Sequence, residues 1–406
     1  MKNIVFTVYA SFLCIGTFFS QNSSIKLEGV DSFSTTNCPY LTNDNEGNIV
    51  LSFGVENDTE ESTFYYAFFN AESNIFGKII EIESAKGVKL HEENAPKIAF
   101  RSDGTVVAVW GVDNTSEAKK YGGRIFYSQS FDKGKSWTEA TPLVTDETSI
   151  DQRYFDIEKL SDGEIGIIWL DSRTSSKLQG STLFFAATKG TLGFLNEKPI
   201  AETTCQCCRT DLFINENGFI NVAFRDIIND EIRDMSICIS KNNGKTFSKP
   251  KRISEDNWKI NGCPHTGPTI AENINGLHFA WFTMGNGSGV YYCNSIDGAN
   301  TFSKRESVSI KSSAKHPQIT TGKNQHVYIV WDEINDVDGI DTFQVGLQER
   351  DEYGELIVTK FISDAKQNAV YPVIKNIQND NLLIAWVNRD KPENVYYKIV
   401  KMTDKK

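Results

Sequence analysis

Two clusters of side chains in this 406-residue chain are equipped for chemistry. Cys205, Cys207 and Cys208 stand within the run Cys205-Gln206-Cys207-Cys208-Arg209, and Cys263-Pro264-His265 follows further along. Thiolates with an imidazole form a soft donor set that suits copper or zinc. The same thiols could instead close disulfides between two loops, or act as reactive thiols. Cys-x-Cys-Cys is not a zinc-ribbon spacing, so these readings stay open. The second cluster is cationic: Arg153, Arg173, Arg209, Arg225 and Arg389. Converging guanidinium groups, with His316 among them, would capture a carboxylate, sulfate or phosphate. The competing expectation is that Asp171, Asp226, Asp332 and Asp390 simply pair with them.

These residues are far apart in sequence, so something must gather them. Along the chain an anchor residue, a short apolar strand, a turn and a second strand ending in an aromatic recur seven times. The anchors are Pro39, Pro96, Phe155, Thr210, Pro268, Pro317 and Pro372; the closing aromatics are Phe53, Trp110, Trp169, Phe224, Trp281, Trp331 and Trp386. Six anchor-to-aromatic separations are 14 residues and the fifth is 13. Units of 49 to 59 residues have room for four short strands and carry no strong amphipathic helix pattern, which predicts an all-β, seven-bladed β-propeller. The last unit is one strand short, and Ile25-Lys26-Leu27-Glu28-Gly29-Val30 is expected to supply it and close the ring. In a propeller, the loop entering each inner strand and the loop leaving the second strand share one face around the channel mouth. That rule brings Cys38, Arg153, Tyr154, the Cys205–Arg209 run, Cys263, His265, His316 and Tyr371 together with Asp171, Arg173, Arg225, Asp226, Asp332, Glu333, Arg389 and Asp390. Cys238 and Cys293, each two residues before a Ser-led turn, read as buried small residues.

Three third-strand ends carry a further signature. Ser130-Phe131-Asp132-Lys133-Gly134-Lys135-Ser136-Trp137 fits Ser-x-Asp-x-Gly-x-x-Trp, and the segments 240–247 and 295–302 are degenerate copies. At these residues the chain resembles the Asp-box (BNR) propellers of the sialidase superfamily. The resemblance implies fold more than activity, because the motif is a turn away from the active site in that family. Sialidases are six-bladed, which is the alternative architecture here. The family's first substrate-binding arginine, in an Arg-Ile-Pro motif, has no match: the corresponding residues are Asn37-Cys38-Pro39. If glycoside hydrolysis occurs, Tyr154 or Tyr371 with Glu333, and Asp171 or Asp332 as acid, are the candidates. Seven-bladed polysaccharide lyases are a second comparison. There Arg153 or Arg209 would neutralise a uronate carboxylate while His265, His316 or Tyr154 takes the adjacent proton.

A net charge of -11 excludes a nucleic-acid partner on electrostatic grounds. Met1-Lys2-Asn3 followed by apolar residues to Phe19 is the layout of a secretory signal over residues 1–20, leaving 21–406 as one propeller domain, a monomer with no further membrane-spanning segment. The mature chain is then periplasmic or extracellular, with seven cysteines. The function expected is binding, and processing if catalytic, of an acidic glycan or other anionic small ligand in an Arg/Cys/His pocket. The alternatives are a copper- or zinc-binding propeller without glycan chemistry and a protein-interaction scaffold.

Overall fold

The computed structural model describes residues 23–29, 34–57, 61–115, 122–174, 179–262, 264–377 and 381–401. The secretory-signal segment and Cys263 lie outside the described residues.

Each repeat folds as an antiparallel meander. The inner strands are Thr35–Asn43, Lys97–Phe100, Gln152–Lys159, Asp211–Ile214, Thr269–Asn273, Lys315–Thr321 and Ala369–Ile377. Each pairs with the strand that ends in, or runs just past, the closing aromatic. Continuous burial, as in Ile165–Asp171, follows from apolar packing on both faces of these second strands. Among the described residues the hydrogen-bonded sheets number six, because Thr204 pairs with Asp226 and joins the third and fourth meanders into one eight-stranded sheet. Ile25–Lys26 pairs antiparallel with Asn394–Lys401, so the outer strand of the last sheet comes from the other end of the chain.

The closing aromatics are the core. Trp110, Trp169, Trp281, Trp331 and Trp386 are among the largest fully buried side chains, and Phe53 and Phe224 are equally buried. Each lies between its own sheet and a neighbour's, as where Trp169 packs among Val107, Val109 and Phe155. Full burial of such rings is worth about 1.5–3 kcal/mol apiece.

Side chains also stitch inner strands to one another. Asp156 accepts from Leu212 N (2.7 Å) and Asp211 accepts from Ile270 N (2.8 Å), each fixing the next unit's inner strand. Lys97 donates to Phe155 O (2.7 Å) and pairs with Asp156 at 3.2 Å. Burial first, and then the Asp156 charge, pushes Asp211 up to about 7.

The three Ser-led turns share one hydrogen-bond pattern. Ser130 Oγ donates to Asp132 Oδ1 and accepts from Gly134 N, while Asp132 Oδ1 accepts from Ser136 N. Ser240, Asn242, Gly244 and Thr246 repeat it, as do Ser295, Asp297, Ala299 and Thr301. The aromatic that ends each turn packs on a ring: Trp137 on Tyr66, Phe247 on Phe185 and Phe302 on Phe279. Since third strands run antiparallel to second strands, these turns lie at the end of the sheets opposite the inner-strand starts.

Candidate functional site

The inner strands begin with a backbone irregularity that recurs. Cys38, Tyr154, His316 and Tyr371 have φ of 54°, 52°, 51° and 52°, and each lies in a register shift of its strand pair. His265, three residues before its anchor, has φ 55°. Left-handed backbone costs a non-glycine residue roughly 1–2 kcal/mol, and it clusters where a side chain must be re-aimed. A bulge turns the side chain toward the channel mouth and frees its N–H from the ladder. Those N–H groups are captured from the preceding unit: Tyr154 N donates to Asn94 Oδ1 (2.6 Å) and Tyr371 N to Asp332 Oδ2 (2.8 Å).

On one side of the mouth, the Tyr154 hydroxyl lies 3.4 Å from His265 Nδ1. The His91 ring stands 6.2 Å from both rings, edge-on to Tyr154. Burial, opposed by Arg153, raises the Tyr154 phenol well above its ordinary value. Burial lowers His91, outweighing the nearby Glu92 and Glu93 charges. The two groups are driven apart: a phenol that keeps its proton and an imidazole that is neutral at pH 7. Arg153 sits over the Tyr154 ring and makes a bidentate pair with Asp151 at 2.7 Å.

On the other side, His316 stacks on Tyr371 with ring centroids 3.9 Å apart, and its Nδ1 lies 2.7 Å from Asp332 Oδ2. Burial alone would lower His316, but the charge and hydrogen bond of Asp332 raise it above an ordinary histidine. Burial and then Glu92 and Glu93 push Tyr371 up. Between the sides sits a short turn of 3-10 helix, Glu92–Asn94. Glu93, 3% exposed, faces Arg209 at 3.3 Å; Glu92 lies 3.7 Å from Arg389. Cys38 is buried near Glu92, and burial pushes its thiol up.

The structure separates the other sequence candidates. Asp171 accepts from Ser149 Oγ (2.7 Å) and the Trp169 indole (3.3 Å), and it pairs with Arg173. Arg173 is further held by Glu197 at 2.7 Å. Glu333 accepts from the Trp331 indole (2.7 Å) and from Ser309. Both carboxylates stand two residues beyond the closing tryptophan, on the strand face that carries the indole. Asp332, one residue beyond it, takes the opposite face and reaches the mouth. Asp226 bonds Thr203 and Ser236, and Asp390 bonds Asn368. Arg209 donates to Pro317 O at 3.0 Å.

Behind the Tyr154 side lies the thiol cluster. Cys205 Sγ is 3.6 Å from the sulfurs of both Cys207 and Cys208, and the three sulfurs lie within 4.8 Å of one another. Among the described residues the cysteines form no disulfide. Cys238 and Cys293 are fully buried, and neither belongs to the close group of three sulfurs. Arg225 Nε donates to Cys208 Sγ (3.3 Å) and Arg233 Nη1 to Cys205 Sγ (3.1 Å). The shared S–H groups and then these guanidiniums favour a thiolate at Cys205.

Sequence reasoning missed His91, Glu92, Glu93, Asn94 and Arg233. The first four precede the Pro96 anchor by two to five residues, so the entering-loop rule covers them. Arg233 opens a third strand, and nothing in its spacing points to Cys205.

A cavity of about 700 Å³ lies at the far end of the inner strands and is lined by Glu158, Lys159, Asn215, Glu216, Thr321 and Lys375 among others. It contains no histidine or cysteine. The mouth encloses only about 30 Å³, beside Glu92, Glu93, Arg209, His316 and Tyr371. Arginine, histidine and tyrosine side chains line the mouth and not the larger cavity.

No protein-family model matches the chain, and no curated protein does. Solved structures do. A protein of unknown function from Dyadobacter fermentans superposes with a TM-score of 0.56 at 12% identity, over 95% of this chain and 99% of that one. The intramolecular trans-sialidase of Ruminococcus gnavus gives 0.52 at 7% identity over 90% and 94%, and the leech intramolecular trans-sialidase 0.52 at 9% over 94% and 92%. Among the described residues no helix is long and apolar enough to cross a membrane. At these identities the likeness is one of fold, and that fold is a sialidase-like β-propeller.

Proposed function

We propose that the protein is an exported, seven-bladed, Asp-box propeller that binds an acidic glycan across its channel mouth and cleaves it by acid–base chemistry. Residues 1–20 serve as the secretory signal, and residues 21–406 form one domain closed by the N-terminal strand. One observation carries the reading. Left-handed residues recur at four inner-strand starts, Cys38, Tyr154, His316 and Tyr371, and at His265 in the loop entering a fifth, a recurrent strain that packing alone does not require. The sialidase-like fold supports a glycan as the ligand.

The assignment of roles follows the separated proton affinities. Neutral His91 takes the proton on the carbon next to a uronate carboxylate. The C–H electron pair becomes a carbon–carbon double bond as the glycosidic C–O bond breaks, and Tyr154 protonates the departing oxygen. Arg153 and Arg389 are the cations nearest solvent for the carboxylate. Elimination suits the site better than hydrolysis, since Asp171 and Glu333 are engaged with tryptophan indoles. The test is incubation of the mature protein with sialosides and with uronate-bearing polysaccharides, following unsaturated products and reducing ends separately. Unsaturated product that disappears in His91→Ala supports the reading; no binding of any acidic glycan overturns it.

A second reading is favoured by the thiol cluster: the protein binds a soft metal, copper or zinc, through Cys205, Cys207 and Cys208, with Cys263 and His265 as further candidates. Metal analysis of the mature protein tests it.

A further inference from the structure

The three clustered thiols are enclosed, with Cys205, Cys207 and Cys208 at 0%, 3% and 1% exposure. Two guanidiniums reach into the same cluster, and their surroundings define its charge. Arg225, itself fully buried, donates to the carbonyls of Arg233 (3.1 Å), Thr266 (3.1 Å) and Phe282 (2.8 Å), and its Nε donates to Cys208 Sγ. Arg233 donates through Nε to Ile260 O (3.1 Å) and through Nη1 to Cys205 Sγ. Among the described residues no ion pair to a carboxylate is formed by either guanidinium. Two buried cations without carboxylate partners are costly unless another anion balances them. The anions at hand are the sulfurs.

We propose that Cys205, Cys207 and Cys208 bind one Cu(I) ion through three thiolate sulfurs, with Arg225 and Arg233 as fixed counter-charges. The proposal rests on the metal reading above and commits it to one ion and one ligand set. Geometry supports it. A triangle with two 3.6 Å sides and a third of at most 4.8 Å has a point about 2 to 2.4 Å from every corner, which matches metal–thiolate bonds of about 2.3 Å.

Charge selects the ion. Three thiolates against two guanidiniums leave one negative charge, which a monovalent cation cancels and a divalent one overshoots in a site closed to water. Soft thiolate donors select Cu(I) over harder ions, and three sulfurs do not complete the four-coordinate shell that structural zinc takes. Binding forms three Cu–S bonds, and any proton still on a sulfur passes to solvent. No change of oxidation state is involved. The site is distinct from the acid–base pair but adjoins it, since the charges of Cys207 and Cys208 act on Tyr154.

The test is anaerobic titration of the reduced mature protein with Cu(I) against a Cu(I)-chelating dye, with zinc titrated in parallel. The expected result is one Cu(I) per chain and a sulfur-only first shell by X-ray absorption. Arg233→Gln should weaken binding roughly 10–100-fold, as loss of an outer-shell partner does; Cys207→Ser should weaken it more, and Cys293→Ser should leave it unchanged. Should Cys207→Ser fail to fold, the effect of Cu(I) on alkylation of the wild-type thiols, mapped by mass spectrometry, gives the same answer: Cu(I) lowers labelling of Cys205, Cys207 and Cys208 and leaves that of Cys293 unchanged. Zinc bound by these cysteines with no Cu(I) taken up would overturn the copper assignment and leave the metal reading standing. Neither metal bound, with all three thiols alkylated equally, would overturn both.

Discussion

The fourth and sixth units use one scaffold position in opposite ways. The residue after the closing aromatic is Gly54, Gly111, Leu170, Phe282 or Val387 in five units, but Arg225 in the fourth and Asp332 in the sixth. Both polar residues reach backbone groups of the following unit. Arg225 is a cation, and its donors gather three carbonyls and a sulfur into an enclosed group. Asp332 is an anion, and it gathers the His316 imidazole and the Tyr371 N–H into a group that remains partly open to solvent. The sign of one charge thus matches the groups gathered beside it on the same backbone: carbonyls and a sulfur around Arg225, an imidazole and an N–H around Asp332.

Removing the cation should have the largest effect on the fold. Arg225→Met leaves carbonyls of Arg233, Thr266 and Phe282 and the Cys208 sulfur without their donor, and we expect a loss of about 3–5 kcal/mol in chemical denaturation. A change below about 1 kcal/mol would mean that the two units are not built around these charges.

Asp332→Asn sharpens the comparison through its pH dependence. Because His316 is raised in the folded state, its contribution is fully present below the unfolded histidine value and is lost as pH rises through the folded one. The stability gap between wild type and Asp332→Asn should therefore be widest in mildly acidic solution, about 1.5–3 kcal/mol, and should narrow in alkali. A gap independent of pH would break the pairing. In NMR titration, His316 should titrate above an ordinary histidine and His91 below, and Asp332→Asn should move only the first downward.

The smallest effect is expected at His265, which is exposed and left-handed. His265→Gly should stabilise the protein by up to about 1 kcal/mol in denaturant midpoint, since glycine adopts that backbone freely. It should also slow turnover by removing the partner of Tyr154.

Much of this molecule was legible in its residues. The anchor and aromatic spacings located every inner and second strand, because a strand covered on both faces must be apolar throughout and must end on the ring that fills the gap between sheets. The pairing of Ile25–Lys26 with the last sheet follows from the missing strand of the final unit. The mouth was legible by loop position, which gathered Tyr154, His316 and Tyr371. Its chemistry was less so. Whether a carboxylate faces the mouth or a tryptophan indole depends on a single step of pleat, as Asp332 and Glu333 show. Partnerships such as Arg209 with Glu93, or Arg233 with Cys205, arise from the packing of distant units and leave no periodic trace.

The measurement that bears most directly on the account is turnover of a uronate-bearing polysaccharide by the mature wild-type protein and by Tyr154→Phe. Elimination through Tyr154 predicts unsaturated product from the wild type, a fall of about 10²–10⁴-fold in Tyr154→Phe, and retained substrate binding in the variant. Equal rates in the two proteins, or reducing ends released without any unsaturated product, would contradict it.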